Sequence, residues 1–130
     1  MARTKITFDT VRQIGRKLPD VEEGTTYGSP ALKVRGQLLT CLAIHRSAEP
    51  NTLAVRIDFG QRDELIAADP STYYLTDHYV NYAAVLVRLS SIHIDALRDL
   101  LKESWRFVTA KTNRRRRTPG APRSLRTRRA

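Results

Sequence analysis

A chain of 130 residues, with 23 Lys plus Arg against 13 Asp plus Glu and a formal charge of +10, has room for one domain and little more. Its single cysteine, Cys41, excludes an internal disulfide and a Cys-Cys metal pair. Without an apolar run near the roughly 18 residues a span needs, or a hydrophobic stretch behind the basic start, it is expected to be cytoplasmic, with no membrane partner.

In "TFDTVRQIGRKLPD" the residues Val11, Ile14 and Leu18 fall on one helical stripe, Thr7 can cap, and Pro19 ends the run. After the polar "DVEEGTT" the period changes to two: Leu32 and Val34 face one way, Ala31, Lys33 and Arg35 the other. Gly36-Gln37 is expected to form a type II′ hairpin turn into "LLTCLAIH", where Leu38, Leu42 and Ile44 share a face. "TLAVRIDF" alternates most cleanly, with Leu53, Val55, Ile57 and Phe59 inward and Arg56 outward. A fourth strand is possible if Thr25–Tyr27 also pairs.

A short helix at "QRDELIAAD" lies between Gly60 and Pro70. "TYYLT" and "NYAAVLVRLSSI" are two further strands, the second with Val85, Val87 and Leu89 inward. Ile94, Leu97, Leu101, Trp105 and Val108 mark the apolar stripe of a last helix. The implied fold is α+β in two layers, an antiparallel sheet with helices on one face, in the order α, three or four strands, α, two strands, α.

Charge divides the chain. Residues 111–130 hold nine bases and no acid, which leaves 14 bases against 13 acids, or +1, for residues 1–110. The expected organisation is therefore a domain over 1–110 and an Arg-rich, disordered tail over 111–130, beginning where the last helix loses its apolar face and kept from helix by Pro119, Gly120 and Pro122.

Glu23-Gly24, Tyr27-Gly28, Pro30-Ala31 with Lys33, Asp69-Pro70, His78-Tyr79, Tyr82, the "VLVRL" strand and Trp105 follow one another as in the MmcQ/YjbR-like family of small bacterial proteins, which the chain resembles from about Val11 to Val108. The resemblance implies a two-layer antiparallel α+β fold similar to secretion chaperones, and members are commonly labelled DNA-binding on the strength of hairpin wings. The chain departs from the family pattern at Ala83-Ala84, where a Pro-Trp pair is usual, and at His93, where an Asp often caps the last helix.

Two binding regions are candidates. Alternation puts Lys33, Arg35, Arg56 and Arg88 on the outer sheet face with Tyr82, an arrangement suited to phosphates and a stacked base, although four basic residues over three strands are near what an ordinary solvated surface offers. In the tail, Lys111, Arg114, Arg115, Arg116, Arg117, Arg123, Arg126, Arg128 and Arg129 would each neutralise a phosphate. His78 and Tyr79 are the candidate contacts for a small ligand or protein partner.

Enzymatic chemistry has no carrier. Asp77 and His78 are adjacent and point apart, so they are not the base and orienter of a triad. Cys41 sits among apolar strand residues. His45, His78 and His93 lack ligand spacing, and no Gly-rich phosphate loop occurs, so neither metal nor cofactor is expected. The expected function is non-enzymatic and largely sequence-independent binding of nucleic acid, DNA before RNA. The alternative is a protein- or small-ligand-interaction module using the open sheet face and the 78–82 segment.

Overall fold

The computed structural model describes residues 6–117, with the backbone alone for 111–117. Helix α1 (Phe8–Gly15) starts where Thr10 Oγ1 accepts the Thr7 N–H at 3.2 Å. Four strands follow, β1 (Val21–Thr26), β2 (Ser29–Val34), β3 (Gln37–Leu42) and β4 (Thr52–Arg56), then α2 (Phe59–Ala68), β5 (Tyr73–Tyr74), β6 (Ala84–Arg88) and α3 (Ile94–Arg117). The six strands form one antiparallel sheet in the order β1-β2-β3-β4-β6-β5. The expected α+β fold is the observed one, with β1 as the fourth strand before α2.

Three local expectations are corrected. The β2–β3 turn is made by Arg35 and Gly36, between the paired Val34 and Gln37, and both turn residues have positive φ (52° and 79°); that is the type I′ pattern rather than II′. In β3 a bulge shifts the register between Leu32 and Lys33, so Leu39 and Thr40 are both buried while Leu38 turns outward, and Leu38, Leu42 and Ile44 do not share a face. Phe59 is not an inward strand residue: β4 ends at Arg56, Asp58 caps α2 by accepting the Gln61 N–H at 3.0 Å, and Phe59 stands exposed in the first turn.

The inner face carries the core. Leu32, Val34, Leu39, Leu53, Val55, Val85 and Val87 are buried against Val11 of α1 and Leu97, Leu101 and Val108 of α3. Gly15 lets α1 approach β2, because a Cβ there would collide with Leu32 Cδ1. Ser104, fully buried on α3, donates its hydroxyl to the carbonyl of Leu39 at 3.3 Å, and Trp105 donates Nε1–H to the carbonyl of Pro19 at 2.9 Å. Among the described residues no helix is long and apolar enough to cross a membrane.

The boundary expected after residue 110 is not the end of the last helix. Thr109 is the last buried side chain among those described, and α3 runs on as helix to Arg117. Lys and Arg are good helix formers, so a basic segment without Gly or Pro can extend a helix that a core has already nucleated. Lys111, Arg114, Arg115, Arg116 and Arg117 are therefore helical; Arg123, Arg126, Arg128 and Arg129 lie outside the described residues.

Candidate functional site

The outer sheet face is not an open basic surface. Its middle row, Ala31, Cys41, Ala54 and Leu86, is apolar, and two loops wall the part around Cys41 and Ala54 into an open cleft of ≈ 1080 Å³. Leu38, Cys41, Ala54 and Ala84 form the floor; Ile44, His45 and Arg46 come from the β3–β4 loop, His78, Tyr79 and Tyr82 from the β5–β6 loop, Phe59 from α2 and Tyr27 from the β1–β2 turn. The Ala83-Ala84 departure bears on this space, since both residues line the cleft and a tryptophan there would fill part of it.

The imidazoles of His45 and His78, 33 residues apart in the chain, stack with centroids 3.6 Å apart and planes within 8°. Tyr79 meets both edge-on, at 6.2 and 4.8 Å, and Tyr82 lies 6.2 Å from His78 at 48°. His45 Nδ1 accepts the Ser47 N–H at 3.0 Å, which leaves the proton of the neutral ring on Nε2. Partial loss of water, the neighbouring His78 and Arg46 hold the His45 pKa below its usual range. Burial pushes the Cys41 thiol up, the reverse of what a thiolate nucleophile needs, and raises Tyr79 as well.

Two arginines fix the walls. The buried Arg62 of α2 donates from Nη1 to the carbonyls of Val80 and Tyr82 at 2.9 and 3.1 Å, pairs with Asp63 at 3.0 Å and lies over the Phe59 ring. Arg88 grips Glu49 of the opposite loop through two bonds of 2.9 and 2.7 Å, donates to the carbonyls of Pro70 and Ser71, and covers the Tyr74 ring at 4.1 Å. The Tyr74 hydroxyl in turn accepts the Glu49 N–H at 2.8 Å.

The predicted cationic patch is thus dispersed. Lys33 is half-buried and in register with Glu22 on β1. Arg35 sits in the hairpin turn, paired with Asp20 at 3.2 Å. Arg88 is committed to Glu49. Arg56 alone of the four lines the cleft, reaching the Leu38 carbonyl at 3.5 Å and the Phe107 ring of α3 at 5.8 Å. Tyr82, His78 and Tyr79 do come together there, although Tyr82 belongs to the loop before β6 and not to the strand.

Sequence reasoning missed Tyr27, Ile44, His45, Arg46 and Phe59 as cleft residues, and Arg62 as a wall support. The usable signal was exposure out of pattern: Ile44 lies past the last paired residue of β3, and Phe59 directly follows the cap residue Asp58. Nothing in the pattern marks Arg62, whose charge on a short helix reads as surface.

A family model described as YjbR matches residues 16–107. Uncharacterised proteins of Mycobacterium bovis and of two strains of Mycobacterium tuberculosis are each 34% identical over 97 residues, 72% of this chain and 67% of theirs. The crystal structure of a Deinococcus radiodurans protein with a DUF419 domain has the same fold, with a TM-score of 0.69 at 23% identity over 86% of this chain and 85% of that one.

Proposed function

The chain belongs to the YjbR family, and on that premise we propose that it is a cytoplasmic, non-enzymatic protein that binds nucleic acid, DNA above all, through its basic C-terminal end. The observation that carries this reading is the separation of charge. Residues 1–110 are nearly neutral at +1 and two of their four sheet cations, Arg35 and Arg88, are paired with acids, whereas nine bases and no acid follow. The first seven residues of that block continue α3, a helical backbone of about 10 Å at 1.5 Å per residue. Such an arm supplies attachment to phosphates without reading bases.

The non-enzymatic part of the reading is supported by the cleft's own chemistry. Cys41 is held protonated by burial, and the His45–His78 pair is stacked face to face rather than joined base to orienter.

The test is a salt titration of affinity for a short DNA duplex with the full chain and with Arg114, Arg115, Arg116 and Arg117 all changed to Gln. Each engaged phosphate contributes about 0.9 to the slope of log K against log salt, so the variant should lose up to about 3.6 of that slope. An unchanged slope would sink the reading.

A second reading, an interaction module for a protein or small ligand, is favoured by one observation: the large exposed apolar side chains are gathered at the cleft and not on the helical side.

A further inference from the structure

Five large apolar side chains are exposed among the described residues: Tyr27, Ile44, Phe59, Val80 and Tyr82. Four of them line the outer cleft, and Val80 lies between the lining residues Tyr79 and Asn81. Scattered exposed apolar residues need no explanation, but their convergence on one concave surface from four separate segments does.

The charge of the cleft narrows what would fill it. No carboxylate lines it; its ionisable side chains are Arg46, Arg56, His45, His78, the two tyrosines of the 78–82 loop, Tyr27 and Cys41. The surface therefore combines π faces and apolar area with cationic groups only. A peptide bearing lysines, or the chain's own basic arm, finds no counter-charge there. A flat ring that carries an anionic group meets both requirements at once.

The rings are arranged for stacking. His78 is held on one side by His45 at 3.6 Å and on its edge by Tyr79, so its plane is set before any ligand arrives. Tyr82 stands 6.2 Å from His78, tilted by 48° and exposed at 56%, while Arg62 fixes its carbonyl and leaves the ring to turn. A ring seated between two others needs about 7 Å between the outer planes, twice the van der Waals separation. The present 6.2 Å between centroids is less than that, so such stacking requires Tyr82 to turn and move away from His78.

We infer that the cleft is a binding site for a phosphorylated heteroaromatic group, a nucleotide, with its base stacked against His78 and Tyr82 and its phosphate taken by Arg46. The source is either a free mononucleotide or an unpaired base of a strand, and the chemistry recognised is the same. This goes beyond the anchoring role of the basic arm, because it concerns a different face of the molecule and does not need that arm.

The experiment is a calorimetric titration of the full chain with each of the four nucleoside monophosphates and, separately, with a short oligothymidylate, at fixed salt. It is repeated on Tyr82→Ala, Tyr82→Phe and Arg46→Gln, and on the chain with Arg114 to Arg117 changed to Gln. Saturable binding of a monophosphate that falls about tenfold in Tyr82→Ala, survives in Tyr82→Phe, weakens in Arg46→Gln and is unaffected by the arm substitutions supports the site and identifies a free nucleotide. Binding of the oligonucleotide alone, with the same dependence on Tyr82 and Arg46, supports the site and identifies a strand. Affinities for both probes that are indifferent to Tyr82→Ala and Arg46→Gln overturn it, as does the absence of binding by either probe. Loss of duplex binding in the arm variant with intact cleft binding, or the reverse, tells failure of one reading from failure of the other.

Discussion

The two faces of the sheet are built from the same strands and serve opposite ends. The inner face spends its large aliphatic residues, Leu53, Val55, Val85 and Val87 among them, on α1 and α3 and is closed. The outer face carries smaller residues, Cys41, Ala54 and Ala84, under two loops that leave a cleft. What differs is how each face is covered. Helices that pack through aliphatic side chains fill all the space, whereas loops pinned by Arg62 and Arg88 hold their backbone in place and leave side chains such as Tyr82 and Ile44 exposed. The aliphatic core is concentrated on one face, and the exposed large apolar side chains on the other.

That division is open to direct challenge. The largest effect belongs to the inner face: Leu53→Ala should cost about 2–5 kcal/mol in urea unfolding, through lost burial and the cavity left behind, while Ile44→Ala on the cleft rim should change stability by under about 0.5 kcal/mol. Equal costs would erase the distinction. Next is Arg62→Met, which keeps the aliphatic packing but leaves the Val80 and Tyr82 carbonyls without their shared donor. It should cost about 1–3 kcal/mol and weaken nucleotide binding as the 78–82 wall shifts. A variant that loses stability but binds as well as the parent would show that the wall is not needed.

The smallest effect sharpens the picture at the other wall. Hydrogen bonding to Arg88 lowers the Glu49 pKa below its usual 4.5, so its contribution to stability is complete above pH 4.5 and is lost as pH falls through the lower folded value. Glu49→Gln should reduce this acid-side loss while leaving the neutral-pH far-ultraviolet spectrum unchanged. An acid unfolding profile identical to that of the parent would assign the wall to the Arg88–carbonyl bonds alone.

How much of this was readable in the sequence follows the same two faces. Alternation in β4 and β6 and the stripe of α3 identify the inner face, because aliphatic burial imposes a period on the residues that make it. Of the edge strand β1 only the end, at Thr25–Thr26, was foreseen, since a strand exposed over most of its length has no apolar alternation to reveal it, and its Glu23 serves instead to bridge Arg12 of α1 and the cap residue Arg16 at 3.1 Å each. The bulge at Leu39-Thr40 reverses parity inside β3 and moves Leu38 to the outer face. An arginine in the left-handed region at Arg35 disguised the turn, for Gly36 alone suggested another type.

The candidate site was legible only in its 78–82 part and in Arg56. Its other members are brought together by tertiary contacts of no sequence period: His45 onto His78, Arg62 onto two carbonyls of a loop 18 and 20 residues away, and Phe59 into the rim. The charge asymmetry, by contrast, is a matter of counting, and composition alone located it. The extent of helix within that basic block was hidden because Arg-rich composition fits a solvated tail and a helix extension equally well.

The central claim is that attachment and recognition sit on different parts of the molecule, and a double-substitution cycle tests it most directly. Affinity for a single-stranded oligonucleotide would be measured against salt for the parent, for Tyr82→Ala, for the Arg114-to-Arg117 glutamine variant and for the combination. The account predicts that the arm substitutions flatten the salt dependence, that Tyr82→Ala lowers affinity about tenfold at constant slope, and that the two effects add within about 0.5 kcal/mol. A Tyr82→Ala variant that changes the slope, or no effect of Tyr82→Ala once the arm is neutralised, would contradict it.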